Sequence, residues 1–102
     1  MIAAVAERTA DIQRLCGRHH VLRLALFGSA ATGAHRAGKS DFDFVVEFQE
    51  LPSGAYADSY FGLLEDLERL LDGPVELVVD SAIRNPFFRR SVEQTSAVLY
   101  EA

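Results

Sequence analysis

The fold is decided by one stretch of the chain, residues 22–48, which reads LRLALFGSAATGAHRAGKSDFDFVVEF. Two apolar runs, over residues 21–27 and 41–48, are separated by a loop of small and basic residues. Short apolar runs bounded by turn-forming residues predict β-strands. The stretch therefore predicts two strands that meet at one polar edge of a sheet, where the first run ends and the second begins.

Two aspartates lie at that edge. Residues i and i+2 of a strand share a face, so Asp41 and Asp43 are expected to project together, while Phe42, Phe44 and Val46 point into a core. Neighbouring carboxylates repel each other unless a cation neutralises them or one of them takes up a proton. Hard oxygen ligands of this kind suit Mg²⁺ shared with a phosphate-bearing substrate.

The first strand ends at Gly28 and Ser29, which are predicted to open a short helix. Free N–H groups at the start of a helix, together with the Ser29 hydroxyl, suit a phosphate group. The sequence thus predicts a phosphate site beside the site for a cation.

The rest of the chain predicts helices around a small sheet. Apolar residues recur at steps of three and four over residues 2–18 and 55–71, which predicts two amphipathic helices. A third strand is predicted over residues 75–80. Asn85 followed by proline is a good helix start and predicts a last helix over residues 86–100. The expected fold class is α+β, with a mixed sheet of about three or four strands flanked by helices.

Composition limits the classes of function. A length of 102 residues predicts one domain, residues 1–102, with no room for a separate substrate domain. The net charge of −5 gives no general attraction to nucleic acid, so no direct nucleic-acid partner is expected. The single cysteine, Cys16, cannot form an internal disulfide, and no signal or membrane-length apolar run is present. These features predict a cytoplasmic protein without membrane contact.

The predicted third strand carries an acidic residue, Glu76, early in an apolar run. Burying an unpaired charge is costly, so Glu76 either faces solvent at a sheet edge or helps to bind the cation near Asp41 and Asp43. Asp80 lies further along the same face and is the reserve candidate for this role.

A family resemblance is carried by Gly28-Ser29 and by the later Ser40-Asp41-Phe42-Asp43, which leads into an apolar strand. This pattern resembles the Gly-Ser…Asp-x-Asp signature of the DNA polymerase β nucleotidyltransferase superfamily. In so short a chain it resembles the minimal nucleotidyltransferase, or MNT, domain. The spacing from the serine to the first aspartate is about one residue longer than is usual there.

The resemblance implies a polymerase β-like fold and a set of site residues. MNT proteins carry a third acidic residue in a strand like Val75-Glu76-Leu77-Val78, where glutamate here replaces the usual aspartate. The implied catalytic and metal-binding residues, holding two Mg²⁺ ions, are Asp41, Asp43 and Glu76.

The loop between the two motifs carries three possible cations beside the phosphate site, His35, Arg36 and Lys39. Arg36 ranks first because its planar fork pairs with phosphate in bidentate fashion. The predicted nucleotide-binding residues are accordingly Gly28, Ser29, Arg36 and Ser40.

Two rival motifs are disfavoured by their context. Residues 33–40 fit the P-loop pattern G-x-x-x-x-G-K-[ST], but a P-loop must follow a strand directly and open a helix. Here the strand ends at residue 27, and residue 40 runs into another strand. His19 and His20 resemble a metal-binding pair, but no further ligand has the right spacing, so a solvated loop is expected.

The resemblance also implies a partner. MNT proteins like this one are typically encoded beside a helical HEPN-domain toxin and neutralise it by transferring AMP from ATP to a tyrosine. ATP is then the substrate, and a hetero-oligomer with a HEPN toxin is expected. A degenerate module that masks the toxin by complex formation alone is the alternative, left open by Glu76 and the longer loop. Transfer to a small molecule would need substrate-binding segments that this chain lacks.

Overall fold

The computed structural model describes residues 1–102 and contains a four-stranded sheet with helices on both faces. The strands are β1 (Val21–Phe27), β2 (Phe42–Phe48), β3 (Val75–Val79) and β4 (Ala97–Glu101). Their order across the sheet is β3-β2-β1-β4. Strand β1 is antiparallel to β2 and β4, whereas β2 and β3 are parallel. The predicted α+β class with a small mixed sheet is confirmed.

Five α-helices and one 3₁₀ turn connect the strands. The helices are α1 (Ala3–Ala6), α2 (Thr9–Arg18), α3 (Ser29–Thr32), α4 (Ala55–Leu71) and α5 (Pro86–Thr95). The 3₁₀ turn, Asp80–Ala82, follows β3. Helix α4 has the predicted bounds, and it forms the crossover that a parallel β2–β3 pair requires. No helix combines the length and the apolar character needed to cross a membrane.

The central strand β2 is buried on both faces. Phe44 and Val46 belong to a core that also contains Ile12 of α2 and Leu63 of α4. Val45 belongs to a second cluster on the opposite face, whose other buried members are Ala25, Phe27 and Val92. The middle of β2 is therefore apolar on both sides. Asp43 lies at the start of the strand, next to the edge of the core.

The last helix is shorter than predicted, and a fourth strand replaces its second half. Helix α5 ends at Thr95, and β4 pairs with β1 along its whole length. Leu99, which lies within the predicted helix, is buried in the core on the α2 side. The prediction was wrong because Val98 and Tyr100 also suit a strand, and the open edge of β1 supplies backbone partners that a helix end lacks.

The first predicted helix is interrupted. Residues 2–18 form two helices, α1 and α2, with a break at Glu7 and Arg8. The Thr9 hydroxyl donates to the Ala6 carbonyl oxygen at 3.0 Å. A threonine that bonds to nearby backbone competes with the helical hydrogen-bond ladder, which accounts for the break.

The prediction that His19 lies in a solvated loop was wrong. His19 directly follows α2 as its C-cap, and its Nε2 lies 2.6 Å from Oδ2 of Asp66 on α4. Both side chains are largely buried, at 15% and 17% exposure. This hydrogen bond, with help from Arg18 and Arg69, lowers the pKa of Asp66 despite its burial. His19 therefore ties α2 to α4, while His20 stays exposed.

Gly62 gives a test of this contact. A Cβ at Gly62 would lie 2.7 Å from Cε1 of His19, so alanine would push the ring away from Asp66. Gly17, also helical, has nothing within 4 Å of its Cβ position. We expect Gly17→Ala to stabilise the protein by about 0.5–1 kcal/mol. Gly62→Ala should be about 1–2 kcal/mol less stable than Gly17→Ala because it loses a charge-assisted hydrogen bond.

Urea unfolding at pH 7 measures the difference. A lowered pKa for Asp66 means that the bond stabilises the protein above the unfolded-state pKa of about 4 and is lost at lower pH. The gap between the two variants should therefore narrow in acid. Equal stability of Gly17→Ala and Gly62→Ala at neutral pH would show that the His19 contact contributes nothing.

Candidate active site

Three neighbouring strands place Phe27, Asp43 and Glu76 in one row across one end of the sheet. Phe27 of β1 is paired with Asp43 of β2, and Asp43 is paired with Glu76 of β3. Directly paired residues on neighbouring strands project from the same face of a sheet. The two carboxylates are thus brought side by side by register alone, although 33 positions separate them in the chain.

The carboxyl groups of Asp43 and Glu76 interact. The pKa of Asp43 is raised from 3.8 to about 6. Burial is the largest cause, followed by a hydrogen bond to Glu76 and by the negative charges of Glu76 and Asp41. A hydrogen bond between two carboxyl groups needs a proton on one of them, so the pair favours a proton below about pH 6 and leaves two repelling carboxylates above it unless a cation is bound.

Gly28 brings the end of β1 against this pair. Its φ of 70° and ψ of −148° lie in a region that essentially only glycine adopts. A Cβ on Gly28 would lie 2.6 Å from Oδ2 of Asp43, so this position has no space for a side chain. The glycine end of the corner therefore lies against the carboxyl group of Asp43.

Helix α3 begins at this corner. The first N–H groups to bond within it are those of Ala31 and Thr32, which donate to the Gly28 carbonyl oxygen at 3.1 and 3.2 Å. Those of Ser29 and Ala30 precede this ladder. Free N–H groups beside a serine hydroxyl can accept an anion, so the corner has the chemistry of a phosphate site.

Asp41 stands apart from the pair. Strand β2 begins at Phe42, so Asp41 precedes it, and its side chain is exposed. Its charge still contributes to the raised pKa of Asp43. No three histidine, cysteine or acidic side chains converge closely enough to hold a metal ion together. The predicted metal trio stays a prediction, of which the structure forms the Asp43–Glu76 pair.

A family model described as nucleotidyltransferase domain matches residues 12–99 of this chain. The chain belongs to the nucleotidyltransferase domain family. The matched segment spans β1 to β4, so it contains every element of the row described above.

Relatives of the nucleotidyltransferase domain agree with this assignment. Two proteins of Methanocaldococcus jannaschii, both provisionally named protein adenylyltransferases, are 36% and 38% identical to it over 77 residues. The alignments cover 76% of this chain and 75% or 74% of the relatives.

Solved structures share the fold of the domain. A protein provisionally described as a minimal nucleotidyltransferase superposes with a TM-score of 0.75 at 30% identity, covering 91% of this chain and 90% of the other. A toxin–antitoxin complex with AMP-PNP gives 0.70 at 21% identity over 92% and 73%. A tri-AMPylated Shewanella oneidensis HEPN toxin in complex with its MNT antitoxin gives 0.65 at 18% over 95% and 72%.

The loop of this nucleotidyltransferase domain between α3 and β2 carries the predicted residues Arg36 and Ser40. The Ser40 hydroxyl accepts from the backbone N–H of Arg36 at 3.1 Å, which closes the loop on itself. The Arg36 guanidinium is exposed and forms no ion pair in the chain. His35 stacks on Phe42, whose side chain is part of the core on the opposite face from Asp43. Strand β2 follows the loop, which excludes a P-loop.

Two other charged residues are engaged elsewhere in the domain. Arg23 pairs with Glu101 at 3.4 Å and with Glu47 at 4.0 Å, at the other end of β1 from Gly28. Asp80, the reserve acidic candidate, lies past the end of β3 and pairs with Arg89 at 3.3 Å. Neither side chain belongs to the row.

Thr95 is a contributor to the site that the sequence did not predict. The Gly28 N–H donates to its Oγ1 at 3.1 Å, which fixes the corner against the end of α5. Thr95 was expected in the middle of a longer helix. Only the β4–β1 pairing, a contact distant in sequence, brings this helix end to Gly28.

Proposed function

We propose that this chain is a Mg²⁺-dependent nucleotidyltransferase that transfers AMP from ATP to a hydroxyl, taken as a tyrosine, of a HEPN-type toxin and so neutralises it. The whole chain, residues 1–102, acts as one minimal domain with catalytic residues Asp41, Asp43 and Glu76. One observation carries the proposal: the Asp43 carboxyl, which interacts with that of Glu76, lies against Gly28 at the start of the Gly28-Ser29 corner. Acidic groups next to anion-binding amides are what transfer of a phosphate-linked group requires.

The carboxylates fit Mg²⁺ by ligand type, because oxygen donors with net negative charge are what this ion takes. Burial and the negative charges of Glu76 and Asp41 raise the pKa of Asp43, and a bound cation would offset this. Asp43 and Glu76 would hold the metal, with Asp41 as the third proposed ligand. When bound, Mg²⁺ would offset the charge of the triphosphate.

The chain's own groups then have distinct tasks. Ser29 and the N–H groups at the start of α3 hold the β and γ phosphates. The acceptor hydroxyl oxygen forms a bond to the α phosphorus while the bond from that phosphorus to the bridging oxygen breaks. Pyrophosphate leaves with the electron pair, and the hydroxyl proton passes to the carboxylate of Glu76, which acts as general base.

The openness of the site supports a protein acceptor. None of the surface clefts of the chain is lined by Gly28, Ser29, Asp43 or Glu76. A nucleotide, like other small molecules, usually binds in a concave pocket that covers most of its surface, so ATP at this site would need a further wall. A second protein would supply both the acceptor and the missing wall of this site.

Mass spectrometry tests the function. The chain is incubated with ATP, Mg²⁺ and the HEPN-domain protein encoded next to it, and the intact mass of the partner is measured. We expect a gain of one or more AMP groups, located on tyrosine by peptide mapping. The gain should be absent with excess chelator and with Asp43→Ala, but present with Asp58→Asn, which removes an exposed carboxylate of α4.

The same experiment distinguishes the alternative. A degenerate module would inhibit the toxin in a complex yet leave its mass unchanged, and Asp43→Ala would inhibit as well as the natural protein. The incomplete acidic trio is the observation that favours this alternative. An unmodified but inhibited partner would decide for it.

A further inference from the structure

We propose that the nucleobase of the substrate stacks on Phe88, the third residue of α5, and that the chain consequently discriminates little between bases. This inference rests on the proposed function, because it needs a nucleotide at the Gly28-Ser29 corner. It adds a part of the site that the sequence motifs do not contain.

Phe88 is placed near the site by its contact with Phe27. Its ring meets the ring of Phe27 at 5.8 Å and 80°, an edge-to-face contact. Phe27 is the residue paired with Asp43, and its side chain packs with Val45 on the same face of the sheet as Asp43. The row of carboxylates thus continues, through Phe27, into an aromatic side chain of α5.

The orientation of α5 also supports the position of Phe88 beside the site. Phe88, Val92 and Thr95 lie at steps of four and three residues and so form one stripe of the helix. Val92 is buried against the sheet, and Thr95 accepts from the Gly28 N–H. The stripe therefore faces the end of β1, with Phe88 at the border where the helix leaves the core.

Phe88 keeps an accessible surface that the packing does not use. Its side chain is 38% exposed, whereas Phe27 beneath it is 6% exposed. Exposed aromatic rings bind nucleobases by stacking, and any base can stack because every base has a π face.

Two polar groups close to Phe88 in the chain are already bonded within the protein. Asn85 Oδ1 already accepts from the N–H groups of Phe87 and Phe88. The Arg89 guanidinium binds Asp80 and two carbonyl oxygens, of Asp80 and Ile83. With these groups engaged, stacking is the main interaction left for the base. ATP and GTP are expected to bind with affinities within a few-fold of each other.

Calorimetric titration of the full chain tests the inference, with Mg²⁺ present and with ATP, GTP and inorganic tripolyphosphate as ligands. Tripolyphosphate has the phosphates but no base. Phe88→Leu keeps an apolar side chain against Phe27 but removes the ring. It should bind both nucleotides about tenfold more weakly and tripolyphosphate as before, because stacking on one base contributes about this much. Phe88→Trp should restore nucleotide binding.

Phe87→Leu is the matched control, since Phe87 is the next residue and is 74% exposed. It should leave all three affinities unchanged. Unaltered ATP binding by Phe88→Leu, or an equal loss for tripolyphosphate, would overturn the role of Phe88 while the phosphate site stands. A natural protein that binds neither ATP nor tripolyphosphate would overturn the proposed function, and this inference with it.

Discussion

Asp43→Asn is expected to abolish AMP transfer and, in the absence of metal, to make the protein more stable. Asparagine has nearly the same shape but carries no charge, so it holds a cation poorly. Loss of charge stabilisation in the transition state should lower kcat by about a thousandfold. The stability gain arises because Asp43 is held against Glu76 and is partly buried, at a cost to its charged form.

The gain in stability depends on pH in a defined direction. The folded-state pKa of Asp43, about 6, lies above its unfolded value of 3.8. The native state therefore becomes less stable as pH rises from about 4 to about 6, where folding opposes loss of the proton. The Asp43→Asn protein has no proton to lose at this position, so its stability does not fall in this way. Since the side chain is partly solvated, the advantage above pH 6 should be about 1 kcal/mol, and it should vanish near pH 4.

Thermal or urea unfolding from pH 4 to 8 in chelator provides the measurement. Asp58→Asn removes the same charge from an exposed helical position and should show no such pH-dependent gain. An Asp43→Asn protein that still transfers AMP would remove Asp43 from the mechanism. One that is destabilised at pH 8 in chelator would show that Asp43 and Glu76 do not repel.

Gly28→Ala is expected to damage both the fold and the site. The backbone at Gly28 is unfavourable for alanine, and the new Cβ would meet Oδ2 of Asp43 at 2.6 Å. We expect a loss of about 2–3 kcal/mol in the free energy of unfolding. Transfer should also be lost, because the displaced carboxyl no longer meets Glu76 or the corner.

A double-mutant cycle separates the two causes. Asp43→Ala removes the carboxyl that the new Cβ would meet, so Gly28→Ala should cost less in that background, where only backbone strain remains. Gly33→Ala is a second control, because Gly33 has a φ of 90° but nothing within 4 Å of its Cβ position. It should cost only about 1 kcal/mol. Equal costs of Gly28→Ala with and without Asp43 would show that the corner and the carboxyl are independent.

Local patterns predicted most of the fold, because most elements are marked by local periodicity. The strands β1 and β2 and the helix α4 follow directly from apolar spacing and turn residues. Strand β4 does not, since Val98 to Tyr100 suit either a strand or a helix end. The choice depends on the open edge of β1, more than seventy residues earlier. Contacts of this kind are invisible to any local pattern.

Some residues of the site could be predicted from the sequence, but the arrangement of the whole site could not. The Asp43–Glu76 pair could be expected, because a residue of each strand has only two faces to choose from. Asp41 was expected to act with Asp43, but it precedes the strand and so escapes the alternation that fixes its neighbour. Arg36 and Ser40 lie in a loop, whose path depends on its own hydrogen bonds. The spacing of residues in the sequence does not determine these hydrogen bonds of the loop.

The turn between α4 and β3 consists of Asp72, Gly73 and Pro74. Its length determines which residue of β3 lies opposite Asp43 in the parallel register. The three residues set how far the chain travels after α4 before it joins the sheet. If one residue added or removed there shifted β3 by one position against β2, Glu76 would turn toward α2 and α4 and Val75 or Leu77 would lie opposite Asp43. The number of residues in this turn is thus constrained by the active site, independently of which residues occupy it.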